Sequence, residues 1–201
     1  MNNNSSKEII INGIFKNNPI LIQVLGICST LAVTNVLKNT VVMGIALIFV
    51  CGFSSCIVSI LRKLIPSRVR MMVEILIIAT GVILVDIILK AHLPDISRQL
   101  GPFVGLIITN CIVMGRCEAF ALSNPPYKAT LDAMSNASGY SLVIIIIAVI
   151  RELLGSGSLW GAQIMPDFWT NWSIMVMAPG GFFVLAVLLW IVKGIFKEES
   201  K

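Results

Sequence analysis

Hydrophobic residues run along this chain in long uncharged blocks, without the alternation of a half-buried strand. Six blocks meet the roughly 17–25 apolar residues that a membrane-crossing helix needs. They lie near residues 20–37, 40–61, 70–89, 99–116, 137–154 and 173–193. The second carries no charge between Thr40 and Leu61. The absence of period-two alternation predicts helices rather than a barrel. Turn and charge signals collect in short linkers, Arg62-Lys63-Leu64-Ile65-Pro66-Ser67-Arg68 and Ser123-Asn124-Pro125-Pro126. The longest connection, about 155–172, is rich in Gly, Trp and Pro. Its low charge predicts a segment lying on the membrane surface through Trp160, Trp169 and Trp172.

The first and fourth blocks are interrupted. Each begins after a proline (Pro19, Pro102), has a glycine soon after (Gly26, Gly105) and contains a Thr-Asn pair, Thr34-Asn35 or Thr109-Asn110. Asparagine at membrane depth competes for backbone hydrogen bonds and favours a local break. First and fourth are equivalent places in two three-helix halves, and three spans per half give the halves opposite orientation. This is the layout of an inverted repeat. The fold expected is therefore an all-α integral membrane protein in a single polytopic domain, residues 1–201. It would have six transmembrane helices in two inverted three-helix repeats, with broken half-helices in segments 1 and 4.

Composition agrees. The 201 residues are 57% hydrophobic and 12% charged, with mean hydropathy +0.92, well short of the roughly 25% charge of soluble domains. The polar start, Met1 to Glu8, lacks a cleavable signal layout, so the first block reads as a retained anchor. The net charge of +5 does not imply nucleic acid, because the basic residues are scattered over loops. Their distribution sets orientation instead. Eleven (7, 16, 62, 63, 68, 70, 116, 128, 193, 197, 201) fall on the side of the termini and four (38, 90, 98, 151) on the other. The excess places both termini in the cytoplasm.

Of five cysteines, Cys28 and Cys111 lie in the interrupted blocks beside Gly, Thr and Asn. Spacing alone leaves each open as a small buried hydrophobe or a metal ligand. Two thiols cannot complete a site that takes about four cysteines, so ligation would need a second chain. Cys51, Cys56 and Cys117 read as packing. Among the acids, Asp86 precedes Lys90 and Glu74 follows Arg70 at four-residue spacing, which suggests two helix-face ion pairs. Arg116 and Glu118 read as a helix-end pair, and Asp132 as a solvated or helix-starting residue. Asp86 also carries a sharper reading, that of lining a cation path, because intramembrane acids mark functional sites. Pro179, ahead of Gly180-Gly181, suggests a kink or a close helix contact. No phosphate loop, dinucleotide fingerprint or nucleophile elbow is present.

At Leu25-Gly26-Ile27-Cys28-Ser29-Thr30-Leu31-Ala32-Val33-Thr34 and Val104-Gly105-Leu106-Ile107-Ile108-Thr109-Asn110-Cys111-Ile112-Val113-Met114-Gly115-Arg116 the chain resembles a known family. This is the membrane-subunit family shared by the sodium-translocating NADH:quinone reductase and the Rnf complex. The resemblance covers essentially the whole chain, including Ser67-Arg68-Val69-Arg70 and Arg151-Glu152-Leu153-Leu154-Gly155-Ser156-Gly157. Phe103-Val104-Gly105-Leu106-Ile107-Ile108, with Val85-Asp86 upstream, is closer to the reductase's D-type subunits than to the E-type subunit of Rnf.

The resemblance implies a bacterial cytoplasmic-membrane (inner-membrane) component with a sister E-type subunit of opposite topology. It implies that Cys28 and Cys111 are iron ligands and that two cysteines of the sister complete a 2Fe–2S cluster at the interface. Gly26, Thr34, Asn35, Thr109 and Asn110 would surround it. A-, B-, C- and F-type subunits would complete a six-subunit complex, with flavins, NADH and quinone bound on other subunits. The chain would relay electrons in a Na+-exporting complex without being catalytic alone. Asp86 and Asp132 match acidic positions of the family and so become candidates for a Na+ path. Cys117 stands where the family usually has Ala. The rival readings are the E-type subunit of Rnf, a secondary transporter built on inverted repeats, and an assembly subunit. The charge asymmetry predicts that a reporter fused to the C-terminus is active in the cytoplasm; a signal from outside would reverse the orientation.

Overall fold

A computed structural model describes residues 19–20, 23–66, 68–92, 101, 103–160, 162–163, 175 and 177–198. Within these, α1 (Ile27–Val33) is a single short helix, α2 (Leu37–Leu61) and α3 (Arg70–His92) follow, and α4 covers residues 103–108. Thr109 and Asn110 leave helical geometry before α5 (Cys111–Arg116), which passes into a π-helical turn, Cys117–Ala121. The long α6 (Pro126–Ser156) leads to a minimal hairpin, β1 (Ser158–Leu159) against β2 (Ala162–Gln163), and α7 is Ala178–Glu198. Four helices among the described residues are long and apolar enough to cross a membrane: Leu37–Leu61, Arg70–His92, Phe103–Ala121 and Pro126–Gly155. A shorter apolar helix covers Pro179–Gly194.

The expected boundaries shift for physical reasons. Among the described residues, block 20–37 yields only the seven residues of α1, about 10 Å of helix, between a left-handed Gly26 and the turn at Thr34-Asn35. Block 137–154 underestimates α6, which starts eleven residues earlier, at Pro126. Proline suits that first turn because its missing N–H has no intrahelical partner there. The added turns carry Asp132, Ser135 and Asn136, which lower hydropathy but are buried against protein. Pro179 likewise sits in the first turn of α7 rather than at a kink. Trp160 is exposed beside the hairpin, as a surface segment requires; Trp169 and Trp172 lie outside the described residues.

The core is the antiparallel pair α2–α6. A Cβ on Gly44 would lie 3.1 Å from Ser141 Oγ, and one on Gly52 would lie 3.0 Å from Met134 Cγ. Small residues thus let the two backbones approach, the route to helix association where lipid is as apolar as the side chains. The Ser141 hydroxyl donates to the Gly44 carbonyl at 3.2 Å and to that of Ala137 at 2.8 Å. α3 packs against α2 through Gly81, whose Cβ position faces Phe53 and Val50. Its outer face, with Met71, Met72, Ile75, Leu76, Ile83, Leu84, Ile87 and Ile88, is exposed and suits lipid.

Two consecutive charges near the end of α6 fix the short α1. Arg151, 2% exposed, donates from Nη1 to the Leu31 carbonyl at 3.2 Å and to Thr34 Oγ1 at 2.6 Å. Its Nε reaches the Met175 carbonyl and its Nη2 the Met177 carbonyl, both at 3.2 Å. A cation therefore meets the Leu31 carbonyl in the last turn of α1, where the helix dipole favours it. Glu152 accepts from the Leu37 N–H at 2.5 Å and the Trp160 N–H at 3.1 Å. An anion thus meets the first amide of α2. Gly181 of α7 closes the site, since a Cβ there would lie 2.7 Å from Leu31 Cδ2. Arg151, counted above among the cations of the outer loops, is a buried structural group. Arg151→Met should cost about 3 kcal/mol by orphaning these carbonyls, and Arg151→Lys less; denaturation midpoints in detergent compare them.

Candidate functional site

The two cysteines of interest open two half-helices. Chain direction into α1 is set by two residues with positive φ, Val24 (57°) and Gly26 (78°). Valine there costs about 1–3 kcal/mol. At Gly26 both space and backbone demand glycine, because a Cβ would lie 2.8 Å from Ile112 Cδ1 and 2.9 Å from Tyr140 Cε2. Cys28 follows in the first turn of α1 and is exposed. Cys111 is the first residue of α5 and is also exposed.

Asn110 produces the second break. Its extended backbone (φ −70°, ψ 119°) is that of an N-cap, and its side-chain carbonyl accepts from the Ile112 N–H at 3.1 Å. The amide's other end donates to Ser29 Oγ at 3.2 Å. Ser29 Oγ lies 2.7 Å from the Tyr140 hydroxyl of α6 and 3.1 Å from the Gly26 carbonyl. Thr30 Oγ1 donates to that carbonyl at 2.8 Å, and the Tyr140 hydroxyl lies 3.3 Å from both. The residue after Cys28 is thereby bonded to the residue before Cys111. The two thiol-bearing helix starts meet at a buried polar knot, while the thiols themselves face outward.

The other expected surroundings divide. Thr109 is a turn residue beside Asn110. Thr34 and Asn35 lie at the opposite end of α1 from Cys28, with Thr34 Oγ1 engaged by Arg151 and Asn35 exposed. The two Thr-Asn pairs thus act differently: one ends a half-helix and the other starts one. The thiols fit a metal–sulfur group as half of a donor set. Both are exposed thiols at helix starts, open to a second chain. Among the described residues no three His, Cys, Asp or Glu side chains gather where they could hold a metal ion. Cys51 and Cys117 are buried, and Cys117 Sγ lies 3.8 Å from Ser55 Oγ, which agrees with packing roles.

The charged residues pair differently from their spacing. Asp86 does pair with Lys90, at 2.6 Å. Arg70, however, bonds Glu118 rather than Glu74. Arg116 turns away from Glu118, contacting Asn136 Oδ1 at 2.7 Å and Asp132 Oδ2 at 3.5 Å. Asp132 is not solvated: it is buried within α6, with Asn136 Nδ2 3.1 Å from Oδ1. Helical spacing offered Arg70 and Arg116 near partners, but packing brought acids from other elements. Ser29 and Tyr140 were missed because a serine and a tyrosine in apolar segments carry no sequence signal. Arg151-Glu152 had one, since adjacent charges within an apolar run are seldom tolerated without buried partners.

Comparison with known proteins finds relatives along nearly the whole chain. The profile of the family described as "Rnf-Nqr subunit, membrane protein" matches residues 6–189. The D-type subunit of the Na(+)-translocating NADH-quinone reductase of Pseudomonas paraeruginosa is 45% identical over 198 residues, 96% of this chain and 89% of the relative. Its counterparts in Psychromonas ingrahamii (45%, covering 94% of this chain and 93% of the relative) and Haemophilus ducreyi (44%, covering 96% of each) are similar to the same extent.

If the knot holds the two half-helices together, Tyr140→Phe and Asn110→Ala should each cost about 1 kcal/mol. The double variant should cost less than their sum, because both bond Ser29. Additivity in a double-mutant cycle would mean that the two bonds are independent.

Proposed function

The chain belongs to the Rnf-Nqr family of membrane subunits, and we propose that it is the D-type subunit of a Na+-translocating NADH-quinone reductase. In this reading it is a non-catalytic membrane component of a multisubunit complex. The names of its relatives support the assignment, and the paired, outward-facing thiols of Cys28 and Cys111 support a more specific role. They would supply half the ligands of a 2Fe–2S cluster, with two cysteines of the sister E-type subunit completing it. When bound, the cluster supplies one-electron transfer partway across a hydrocarbon core of about 30 Å, too wide for one efficient hop between flavins on its two sides.

The chain's own residues do the positioning. Gly26 turns the backbone so that Cys28 opens α1, and Asn110 does the same for Cys111. The Ser29–Asn110 bond fixes one helix start relative to the other, so the spacing of the thiols is set before a partner arrives. Arg151 anchors the far end of α1. Leu25, Ile112 and Tyr140 place apolar surface around Gly26 and Gly115, which excludes water from behind the thiols.

The six-span inverted repeat, the cytoplasmic termini and the bacterial inner membrane belong to the same reading. Asp86 and Asp132 remain the proposed Na+ path. The buried Asp132, held beside Arg116, is placed to sense a passing charge more strongly than the surface-paired Asp86.

Iron analysis and visible spectroscopy of the purified complex test the relay. Cys28→Ala and Cys111→Ala should each abolish the cluster signal and cut NADH-to-quinone turnover roughly 100-fold, with all subunits still assembled. Assembled variants that keep their iron would defeat the assignment.

A further inference from the structure

Both ends of α1 are bonded to α6, the Gly26 carbonyl to Tyr140 and the Leu31 carbonyl to Arg151. The start of α5 reaches the same Tyr140 through Asn110 and Ser29. Its far end is held by Arg116. Nη2 of that guanidinium donates to Asn136 Oδ1 at 2.7 Å, and Nη1 lies 3.5 Å from Asp132 Oδ2. Asn136 is itself fixed, donating from Nδ2 to the Asp132 carbonyl at 2.8 Å and to Asp132 Oδ1 at 3.1 Å. Asp132, Asn136 and Tyr140 are all buried.

Four-residue steps place Asp132, Asn136 and Tyr140 along one face of α6. From Asp132 to Tyr140 that helix rises about 12 Å, and the six residues of α5 rise about 9 Å. The half-helix therefore fits along this row, with its start at Tyr140 and its end at Asn136 and Asp132. The two thiol-bearing half-helices leave Tyr140 in opposite directions along α6, one toward Arg151 and the other toward Asp132. Six residues are too few to hold a helix alone. Ile112 and Val113 bury one side of α5, but apolar contact is non-directional and leaves sliding and rotation open. A Cβ on Gly115 would meet Leu25 Cδ1 only at 3.8 Å, ordinary contact rather than a steric lock. Directional bonds remain as the constraint. Glu118, two residues after Arg116, bonds Arg70 of α3, so the chain is tied to α6 and to α3 in succession, which opposes rotation of α5 about its axis.

We propose that Arg116 is a positioning residue for Cys111: held by Asn136 and Asp132, it fixes the far end of α5 and thereby the place of the Cys111 thiol relative to that of Cys28. Its consequence for metal binding rests on the reading of the two thiols as half of a shared ligand set, whereas the positioning concerns this chain alone. Ligand sets must be held to within about 0.5 Å, so a thiol at one end of a six-residue helix depends on the anchor at the other.

The test is dipolar EPR on the full-length chain in lipid nanodiscs, spin-labelled at Cys28 and Cys111. Cys56→Ser removes the half-buried thiol, and Cys51 and Cys117 are buried. Arg116→Met should shift the mean label-to-label distance by about 1–2 Å, the scale of a helix shift, or broaden its distribution to match. Arg116→Lys keeps the charge and should restore most of the parent distance. Arg116→Met with Asp132→Asn removes both charges together and carries the test if an unpaired Asp132 prevents folding. Lys128→Met, which removes an exposed charge from the start of α6, should leave the distance unchanged; an equal shift there overturns the inference by assigning the effect to net charge. In the purified complex, Arg116→Met should retain iron about tenfold less tightly against a chelator. An unchanged distance in the folded variants overturns the inference, as does unchanged iron retention in a complex whose iron Cys28→Ala and Cys111→Ala abolish. A shifted distance in a protein whose cysteine variants keep their iron would support the positioning and defeat the relay; an unshifted distance in one whose cysteine variants lose it would do the reverse.

Discussion

A guanidinium buried among carbonyls, with a carboxylate beside it on the same helix, is the constraint on which the rest depends. Seven residues of α1 are far too few to make a stable helix alone. What holds them is Arg151 at the Leu31 carbonyl and the Thr34 hydroxyl, and Glu152 at the first amide of α2. Each charge sits at the helix end whose dipole favours it. In lipid no water can replace either partner, so the alternative to these bonds is a set of orphaned polar groups. The interruption between α1 and α2 is therefore as determined as a continuous helix would be, while Gly26 at the other end of α1 sets Cys28 at a helix start.

The second half of the arrangement follows the same demand that every polar group find a partner. Asn110 uses one end of its amide to cap α5 and the other to reach Ser29. One side chain thus creates a break and ties it to the other break. Tyr140 completes the knot from α6, the helix that also carries Arg151 and Glu152. The 31-residue α6 is accordingly the spine of the molecule. It packs along α2 through Gly44 and Gly52, and it fixes α1 at both ends.

Much of this was legible in the sequence. Uncharged blocks marked the long helices, and Thr34-Asn35 and Thr109-Asn110 do mark non-helical backbone. The motifs around Cys28 and Cys111 pointed to the family that the relatives support. What escaped was whatever depends on long-range pairing. Hydropathy started α6 at residue 137 because it cannot tell a polar residue facing water from one facing protein, as Asp132 and Asn136 face Arg116. Four-residue spacing gave Arg70 to Glu74, whereas the fold gives it to Glu118. Asp132 read as solvated because its partner, Arg116, lies on another element. The two interrupted blocks are not built alike, because one Thr-Asn pair closes a half-helix and the other opens one.

The partners of Arg151 and Glu152 lie 115 to 120 residues earlier in the chain. During synthesis α1 therefore emerges long before the groups that fix it, and the half-helix bearing Cys28 is among the first membrane segments made and the last secured. Its thiol cannot take up its final position until α6 has been inserted. The surface that presents this thiol is accordingly completed only when the membrane part of the chain is nearly all made.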